Sequence, residues 1–382
     1  KVITHNDDAI SFEPGGQFEY SSIPQACMND ALENLQQFQH IIKSELKKYQ
    51  IIPIQIGMNP WHTLTQIGIQ QPKLRYQAMN EYFCNRNSYG LRMMTQTCSI
   101  QVNLDFGKNE NTLVKRFLAT NLIAPFATAI FGYSSFLEEH PTKYDSFRAK
   151  SWQMLDPSRT GFYDLQNIFK NPQKTQCVQS YFNFLMNANV IYIPNLNNKV
   201  CKTPITFKQW LTNGIDGIFP TLDDFIIHCS LVFPEVRIRG FLELRSIDCQ
   251  SYVWQSVPVI FYASLIYNDA ILEQVLNLLE PYSKDINNLW IKSALGFEDD
   301  TIFEISRRLM DLACEGINIL PQCYNSVINQ KTMTSFNQIF TQQKLNPSRY
   351  LKNYFIKNKK DYLTPQDIID VEEIWQNHIN KN

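Results

Sequence analysis

The chain has 382 residues, of which 44% are hydrophobic and 19% are charged. Its 35 basic and 36 acidic residues give a net charge of -1, so the composition offers no overall attraction to nucleic acid or to an anionic membrane. No run of 18 apolar residues occurs, and the longest apolar stretch, Val257–Tyr267, is too short to cross a bilayer.

Nine cysteines occur without any CxxC pair or zinc-like spacing with histidine. This cysteine usage favours reduced thiols and therefore a reducing compartment, either the cytoplasm or the interior of an organelle. Because the chain begins with Lys1 and not with Met, we expect its native N-terminus to lie outside this sequence.

The stretch Ser11–Ser22 predicts a β-hairpin. Pro14-Gly15-Gly16 supplies turn residues, and the sequence after it alternates, so that Glu19 lies across the turn from Glu13. Two carboxylates that converge beside a turn can bind a hard cation such as Mg²⁺. The alternative from these residues alone is a surface hairpin with two solvated acids.

The next elements alternate between helical and strand patterns. Gln25–Tyr49 predicts an amphipathic helix, and Tyr76–Phe83 a short one. Met93–Phe106 alternates in the manner of a half-buried strand whose second face is entirely polar and includes Gln101 and Asn103. We expect this face to line a polar pocket; a solvent-exposed face is the alternative.

The second half of the chain is predicted to be mainly helical. Asn109–Phe131 predicts a helix that contains Pro125, and Val236–Ile247 predicts a strand. From Ser256 onward the patterns are helical, and the last two predicted helices are Thr332–Lys359 and Pro365–Ile379.

Several cationic and acidic side chains are candidates for chemistry. The strand Val236–Ile247 places Glu243 and Arg245 on one side, where they either serve a site or form a structural ion pair. The segment DSFRAKSWQMLDPSRTG holds Arg148, Trp152 and Arg159, and arginine suits carboxylate and phosphate because its donors form a fork. A surface turn is the common alternative for such arginines. No P-loop and no arrangement of a nucleophile with a base is found.

The motif EPGGQFEYS, which begins at Glu13, resembles the signature of the ATP-dependent glutamate–cysteine ligases of the plant and proteobacterial type. Further motifs follow in the family's order and at roughly its spacing, namely RYQAMNEYF, GLRMMTQTCSIQVNLDF, SWQMLDPSRTG, FPEVRIRGFLELRSIDCQ and IYND. The resemblance covers residues 1–325 and implies an α/β (α+β) fold, with a glutamine-synthetase-like curved antiparallel sheet and helices around it. Residues 326–382 are expected to form a helical C-terminal appendage.

The resemblance also implies the chemistry. It implies ligation of the γ-carboxylate of L-glutamate to the amino group of L-cysteine, with ATP and Mg²⁺ as cofactors and γ-glutamyl phosphate as intermediate. The residues that it implicates fall into three groups: Glu13, Glu19 and Glu243 as metal ligands, Arg245 and Arg159 as catalytic groups, and Arg75, Gln101, Asn103, Arg148 and Trp152 as substrate or ATP contacts. Small-molecule substrates are the only partners expected, with no nucleic acid and no membrane, and the oligomeric state is left open.

This sequence departs from the family pattern at two places. The Glu-rich strand that precedes EPGGQ in the family has no counterpart before Glu13, so we expect that strand to be lost or to lie outside this chain. Gln96 stands where the relatives carry arginine. These departures keep two alternatives open: an inactive family member that serves as a structural or assembly subunit, and a γ-glutamyl ligase for another amine.

Overall fold

The computed structural model describes residues 3–5, 8–196 and 198–381. Within these ranges, short strands combine with many helices, which confirms the mixed α/β (α+β) class. The strands are β1 (Ile3–His5), β2 (Asp8–Phe12), β3 (Phe18–Ser21), β4 (Ser99–Leu104), β5 (Phe136–Leu137), β6 (His140–Pro141), β7 (Thr160–Gly161), β8 (Tyr192–Ile193), β9 (Lys199–Val200), β10 (Phe233–Pro234), β11 (Val236–Ile238) and β12 (Leu242–Asp248).

The helices of the same ranges are α1 (Met28–Lys47), α2 (Leu64–Ile67), α3 (Leu74–Cys84), α4 (Tyr89–Gln96), α5 (Glu110–Ile130), α6 (Phe147–Gln153), α7 (Leu165–Lys170), α8 (Lys174–Asn187), α9 (Phe207–Asn213), α10 (Leu222–Cys229), α11 (Val257–Ile266), α12 (Asp269–Leu279), α13 (Ile286–Ser293), α14 (Asp300–Ile319), α15 (Val327–Ile339), α16 (Pro347–Lys357) and α17 (Pro365–Lys381). The predicted helices at Gln25–Tyr49, Tyr76–Phe83 and Asn109–Phe131 are thus confirmed to within three residues at each end.

The central sheet has the order β11-β12-β4, and both pairs are antiparallel. Glu243 lies opposite Asn103, and the register shifts in a bulge between Leu244 and Ile247. The single strand predicted over Val236–Ile247 is instead a tight hairpin, because Gly240 adopts a positive φ of 80° that lets the chain reverse. The other strand groups of the described residues are the sheet β1-β2-β3, the parallel pair β7 and β10, and the antiparallel pairs β5–β6 and β8–β9.

Helix α4 replaces the first part of the strand predicted over Met93–Phe106, so β4 begins only at Ser99. Thr95 and Thr97 look like alternating strand residues in the sequence. In the structure their hydroxyls donate to the carbonyls of Leu91 and Met93, four residues earlier, at 2.8 and 2.6 Å. This pattern belongs to a helical turn and not to a strand.

Helix α5 is the centre of the main hydrophobic core. It begins after Asn109, whose side chain accepts a hydrogen bond from the Thr112 N–H, and it packs against β12, α12, α13 and α14. By length and composition it is the one described helix that alone could cross a membrane, but 89% of its apolar stretch is buried by the rest of the protein. This is the pattern of a core helix.

The C-terminal helices contribute to the same core. The helix predicted over Thr332–Lys359 is divided, because Asn346 caps a new helix that begins at Pro347. Phe336 of α15 and Trp375 of α17 belong to the hydrophobic cluster that contains α5. The division of the chain at residue 325 stays a prediction.

Candidate active site

The predicted hairpin is present and carries the two acids. Strands β2 and β3 pair with Ser11 opposite Glu19. The turn closes with hydrogen bonds from the Gly16 N–H to the Glu13 carbonyl at 2.8 Å and from the Glu13 N–H to the Gln17 carbonyl at 2.9 Å. Gly16 has a φ of 85°, the left-handed conformation that a three-residue hairpin loop requires at this position.

Gln17 fixes this turn to the junction of α4 and β4. Its amide nitrogen lies 3.2 Å from the carbonyls of both Met94 and Thr97, and its amide oxygen accepts a hydrogen bond from the Gly15 N–H at 2.9 Å. A Cβ atom on Gly15 would lie 2.2 Å from the Thr95 carbonyl oxygen, so only glycine permits this approach. The position of the two acids therefore depends on Gly15 and Gln17.

The carboxyl groups of Glu13 and Glu19 interact directly. Burial, a hydrogen bond to Glu19 and the charge of Glu19 together raise the pKa of Glu13 to about 7, against the opposing charges of Lys73 and Arg75. When two carboxylates lie this close, their charges repel, and protonation of one of them relieves the repulsion. A divalent cation bound to both relieves the same repulsion. The pair therefore fits the role of Mg²⁺ ligands.

Arg75 lies near this pair, in the first turn of α3. Its charge acts on Glu13 and also on Tyr192 of β8, and its guanidinium carbon is 5.6 Å from the ring centre of Tyr76. The Arg75 Nε is buried and has no hydrogen-bond partner among the described residues. The structure therefore brings Arg75 to the acids, as a binding role requires.

Three of the predicted residues line one narrow pocket. Arg148 of α6 donates a hydrogen bond to the Arg245 carbonyl at 2.8 Å, and the Arg245 guanidinium carbon is 5.4 Å from the ring centre of Trp152. The Trp152 indole N–H is buried and has no partner in the described part of the chain. The lining residues are Thr128, Arg148, Ala149, Trp152, Phe233, Pro234, Glu235, Arg245 and Ser246.

The pocket concentrates positive charge in a buried place. Burial and the neighbouring charge of Arg237 lower the pKa of Arg245 to about 10, which means that its charged form is imperfectly compensated. Arg148 has Asp248 as its counter-ion, at 3.7 Å. Crowded guanidinium groups that lack full compensation suit an anionic ligand such as a phosphate.

Cys98 connects the pocket with the acid pair. Burial raises the pKa of its thiol to about 11; the charge of Arg148 acts to lower it, and the charges of Glu13 and Glu19 act to raise it. All three charged groups are therefore close enough to act on one thiol. The arginine pocket and the acid pair are parts of the same region.

Glu243 is not part of that acid pair. Arg237 donates two hydrogen bonds to its carboxylate, at 2.5 and 3.1 Å, and Arg245 and Arg239 lie at 3.3 and 3.7 Å. Although burial opposes it, these partners hold the pKa of Glu243 below its ordinary value. No group of three metal-binding side chains occurs in the described ranges, so the predicted triad with Glu13 and Glu19 is not formed there. The alternative of a structural ion pair is what the structure shows.

Gln101 and Asn103 share the outer face of β4, and both are exposed. They lie on one side of the strand as the alternation predicts, but neither lines the arginine pocket. The predicted pocket wall is an open strand face in this structure.

Arg159 is completely buried, with 0% of its surface exposed. Its guanidinium donates to the backbone carbonyls of Leu231 and Asn189 and lies 3.4 Å from the Asp156 carboxylate. These contacts use three of its five N–H donors, and complete burial keeps the other two away from the surface. The contacts of Arg159 that the structure describes hold the fold together, and the catalytic role that the resemblance implies stays a prediction.

Two buried acids near the pocket are absent from the sequence-based candidates. Asp248 accepts hydrogen bonds from the Ser134 and Ser146 hydroxyls at 2.6 and 2.8 Å and thereby positions the start of α6. Glu235 lines the pocket beside Arg148 and Arg245. The sequence signal for Glu235 is its place in the motif FPEVR, but it precedes the alternating strand, so the alternation predicts no face for it.

Comparison with known proteins gives a consistent result. The family model described as "Glutamate-cysteine ligase family 2" matches residues 1–295. The chain is 28% identical over 318 residues to a chloroplastic glutamate–cysteine ligase of Medicago truncatula, an alignment that covers 81% of this chain and 61% of the relative.

Other plant relatives agree. The chain is 30% identical over 319 residues to the chloroplastic glutamate–cysteine ligase of Solanum lycopersicum, with 81% of this chain and 60% of the relative covered. It is 31% identical over 273 residues to that of Arabidopsis thaliana, with 71% and 51% covered. The chain thus spans between one half and three fifths of the length of these curated relatives. A family model that matches more than three quarters of the sequence shows that this chain belongs to glutamate–cysteine ligase family 2.

Proposed function

We propose that this protein joins the γ-carboxylate of L-glutamate to the amino group of L-cysteine with hydrolysis of ATP to ADP and phosphate, the first step of glutathione synthesis. The observation that carries this proposal is the convergence of Arg148, Trp152 and Arg245 on one pocket, with the Glu13–Glu19 pair in the same region. Membership of the ligase family supports it.

Glu13 and Glu19 would hold Mg²⁺, since their carboxyl groups interact across the turn and the pKa of Glu13 is raised. When bound, the ion neutralises negative charge on phosphate oxygens. Gln17 and Gly15 keep the acids in place by fixing the turn to α4 and β4.

The arginines of the pocket would act on the transferred phosphoryl group. In the first step a γ-carboxylate oxygen of glutamate attacks the terminal phosphorus of ATP, and ADP leaves. Negative charge spreads over the phosphoryl oxygens in that transition state, and the preorganised guanidinium groups of Arg245 and Arg148 stabilise it. Arg75 would hold a carboxylate or phosphate beside the acid pair.

In the second step the amine attacks the carbonyl carbon of γ-glutamyl phosphate, the new C–N bond forms, and phosphate leaves. No nucleophile from the protein is needed. This agrees with the absence of such an arrangement from the sequence.

The direct test is ADP release by the purified protein with Mg·ATP and glutamate, in the presence and absence of cysteine. The expected result is ADP formation that requires both amino acids and is lost in Glu19→Gln. The matched control is Glu315→Gln, an exposed acid on α14. Absence of ADP from folded wild-type protein under every combination would overturn the proposal.

A second candidate function is that of an inactive family member with a structural role. The observation that favours it is the Glu243 carboxylate, whose partners are three arginines.

The other candidate function is that of a γ-glutamyl ligase for an amine other than cysteine. It is favoured by Gln96, which is buried and stands where the relatives carry arginine. The amide oxygen of Gln96 accepts a hydrogen bond from the Arg92 guanidinium at 3.0 Å, and its amide nitrogen donates one to the His62 carbonyl at 2.7 Å. ADP release with glutamate and a different amine would identify that case.

We further propose a reducing compartment, either the cytoplasm or an organelle interior. All nine cysteines are free thiols in the structure, and the relatives named above are chloroplastic.

A further inference from the structure

Glu235 occupies a backbone position that is fixed from both sides. Its N–H donates to the Gly161 carbonyl at 3.0 Å, and its own carbonyl accepts a hydrogen bond from the Arg245 N–H at 3.0 Å. It lies between β10 and β11 and therefore joins the parallel pair β7–β10 to the bulge of β12. The backbone at Glu235 therefore cannot move far without disturbing two sheets.

Glu235 faces the arginine pocket. Glu235 is 8% exposed and lines the pocket together with Arg148, Trp152 and Arg245. Each arginine already has a different counter-ion, since Arg245 pairs with Glu243 at 3.3 Å and Arg148 with Asp248 at 3.7 Å. Among the described residues Glu235 forms no ion pair of its own. Glu243 and Asp248, and not Glu235, are therefore the structural partners of the two arginines.

The proposed reaction leaves one requirement without a residue. The amino group of the acceptor is largely an ammonium at neutral pH, and an ammonium has no lone pair with which to attack a carbonyl carbon. A group in the pocket must take a proton from it. Arginine, tryptophan and the backbone donors of the pocket cannot accept one.

We propose that Glu235 is the base that takes this proton from the acceptor amine. The proton passes from nitrogen to the Glu235 carboxylate, and the lone pair so released forms the C–N bond to the γ-carbonyl carbon of glutamyl phosphate. The bond from that carbon to the phosphate oxygen breaks, and inorganic phosphate leaves with the second proton of the nitrogen. This assignment rests on the ligase function proposed above and deepens it.

The electrostatics of the pocket agree with this role. Burial raises the pKa of the Glu235 carboxyl to about 7, although the charges of Arg148 and Arg245 and a hydrogen bond from Trp290 act to lower it. Tyr262 of α11 also faces it, and the charge of Glu235 helps to raise the pKa of that phenol. A base is most effective when its pKa lies near the working pH.

The test compares two acceptors in the full chain. Cysteine is bound as an ammonium, whereas hydroxylamine is largely unprotonated at neutral pH and needs no base. We expect Glu235→Gln to lower cysteine-dependent product formation by about 100-fold or more, and to form γ-glutamyl hydroxamate from hydroxylamine within about threefold of the wild-type rate. Glu235→Asp should recover part of the cysteine rate, and the exposed Glu315→Gln should match wild type with both acceptors.

The pH profile adds an independent readout. The cysteine-dependent rate of wild type should fall as the pH drops through about 7, where Glu235 becomes protonated, and Glu235→Gln should lack that limb.

The outcomes separate the two proposals. If wild type forms no product with either acceptor, the ligase function fails. If wild type is active and Glu235→Gln loses both acceptors equally while remaining folded, or loses neither, the assignment of Glu235 as a base is wrong and the ligase function stands.

Discussion

The carboxyl group of Glu13 shares a hydrogen bond with that of Glu19 across a three-residue turn. A pKa raised to about 7 lets such a pair hold a proton at mildly acidic pH, and a divalent cation would bind to the same two carboxyl groups. Proton and metal therefore compete for the same two side chains, so metal binding to the acid pair can be measured without catalytic turnover.

Magnesium should stabilise the protein more strongly at pH 8 than at pH 6. Glu13 has its pKa raised to about 7, so at pH 6 a proton occupies the pair, and at pH 8 it is free for the ion. The measurement is the increase in Tm on addition of Mg²⁺ at the two pH values. Glu19→Gln should abolish the increase, and an equal increase in wild type and variant would contradict the assignment.

The stability of the protein without Mg²⁺ should fall as the pH rises from about 5 to 8. A raised pKa means that the folded state binds the Glu13 proton more tightly than the unfolded state, so this contribution is present at low pH and is lost through about pH 7. The slope from one proton is at most about 1.4 kcal/mol per pH unit. Urea unfolding of wild type and Glu13→Gln across this range measures it, and parallel curves would refute it.

Arg159→Met should destabilise the protein by about 3 kcal/mol or more, because it leaves Asp156 buried without its cation and two backbone carbonyls without donors. Denaturant unfolding gives the free energy. Any protein that remains folded should keep its activity per folded molecule. A stable variant with lost activity would restore the catalytic role.

Arg245→Met should show the opposite pattern. Glu243 keeps both hydrogen bonds from Arg237 in this variant, so the loss of stability should be smaller than for Arg159→Met. If Arg245 stabilises the transferred phosphoryl group as proposed, removal of its charge should slow ADP formation by about 100-fold. The exposed Arg308→Met serves as the control with unchanged rate. Unchanged ADP formation in Arg245→Met would remove this residue from the mechanism.

Trp375→Ala tests whether residues 326–382 form an appendage. Trp375 is 1% exposed and contacts Tyr133, Trp254 and Phe340, so we expect a loss of about 3–5 kcal/mol in the unfolding of the whole protein. Its neighbour Ile374, which is 43% exposed, should tolerate alanine with a change below about 1 kcal/mol. A separate, low-stability transition in Trp375→Ala, with the main transition unchanged, would support an independent unit.

Features that depend on a few neighbouring residues could be predicted from the sequence. The hairpin at Pro14-Gly15-Gly16 follows from turn chemistry, and Thr206 and Thr221 cap the helices that begin after them through reciprocal bonds with the third helical residue. In each case the sequence segment contains both partners of the interaction.

The arginines show why the rest could not be predicted. Arg148 and Arg159 lie eleven positions apart in one motif and look equivalent in the sequence. Their roles differ because Arg159 meets the carbonyls of Leu231 and Asn189, whereas Arg148 meets the Arg245 carbonyl at a pocket wall. Partners 30 to 97 residues away decide which cation stays available, and local patterns do not contain that information.

The contact between Gly15 and the Thr95 carbonyl sets how much variation the turn can tolerate. Any side chain at position 15 would overlap a backbone atom that cannot move without unwinding the end of α4. A Cβ atom on Gly16 would meet only Cγ and Cβ of Gln70, at 3.6 and 3.8 Å, so the restriction at this position comes from φ alone, and asparagine could satisfy it. Random mutagenesis of both positions, followed by selection for growth dependent on this protein, should therefore return only glycine at 15 but a small set of residues at 16.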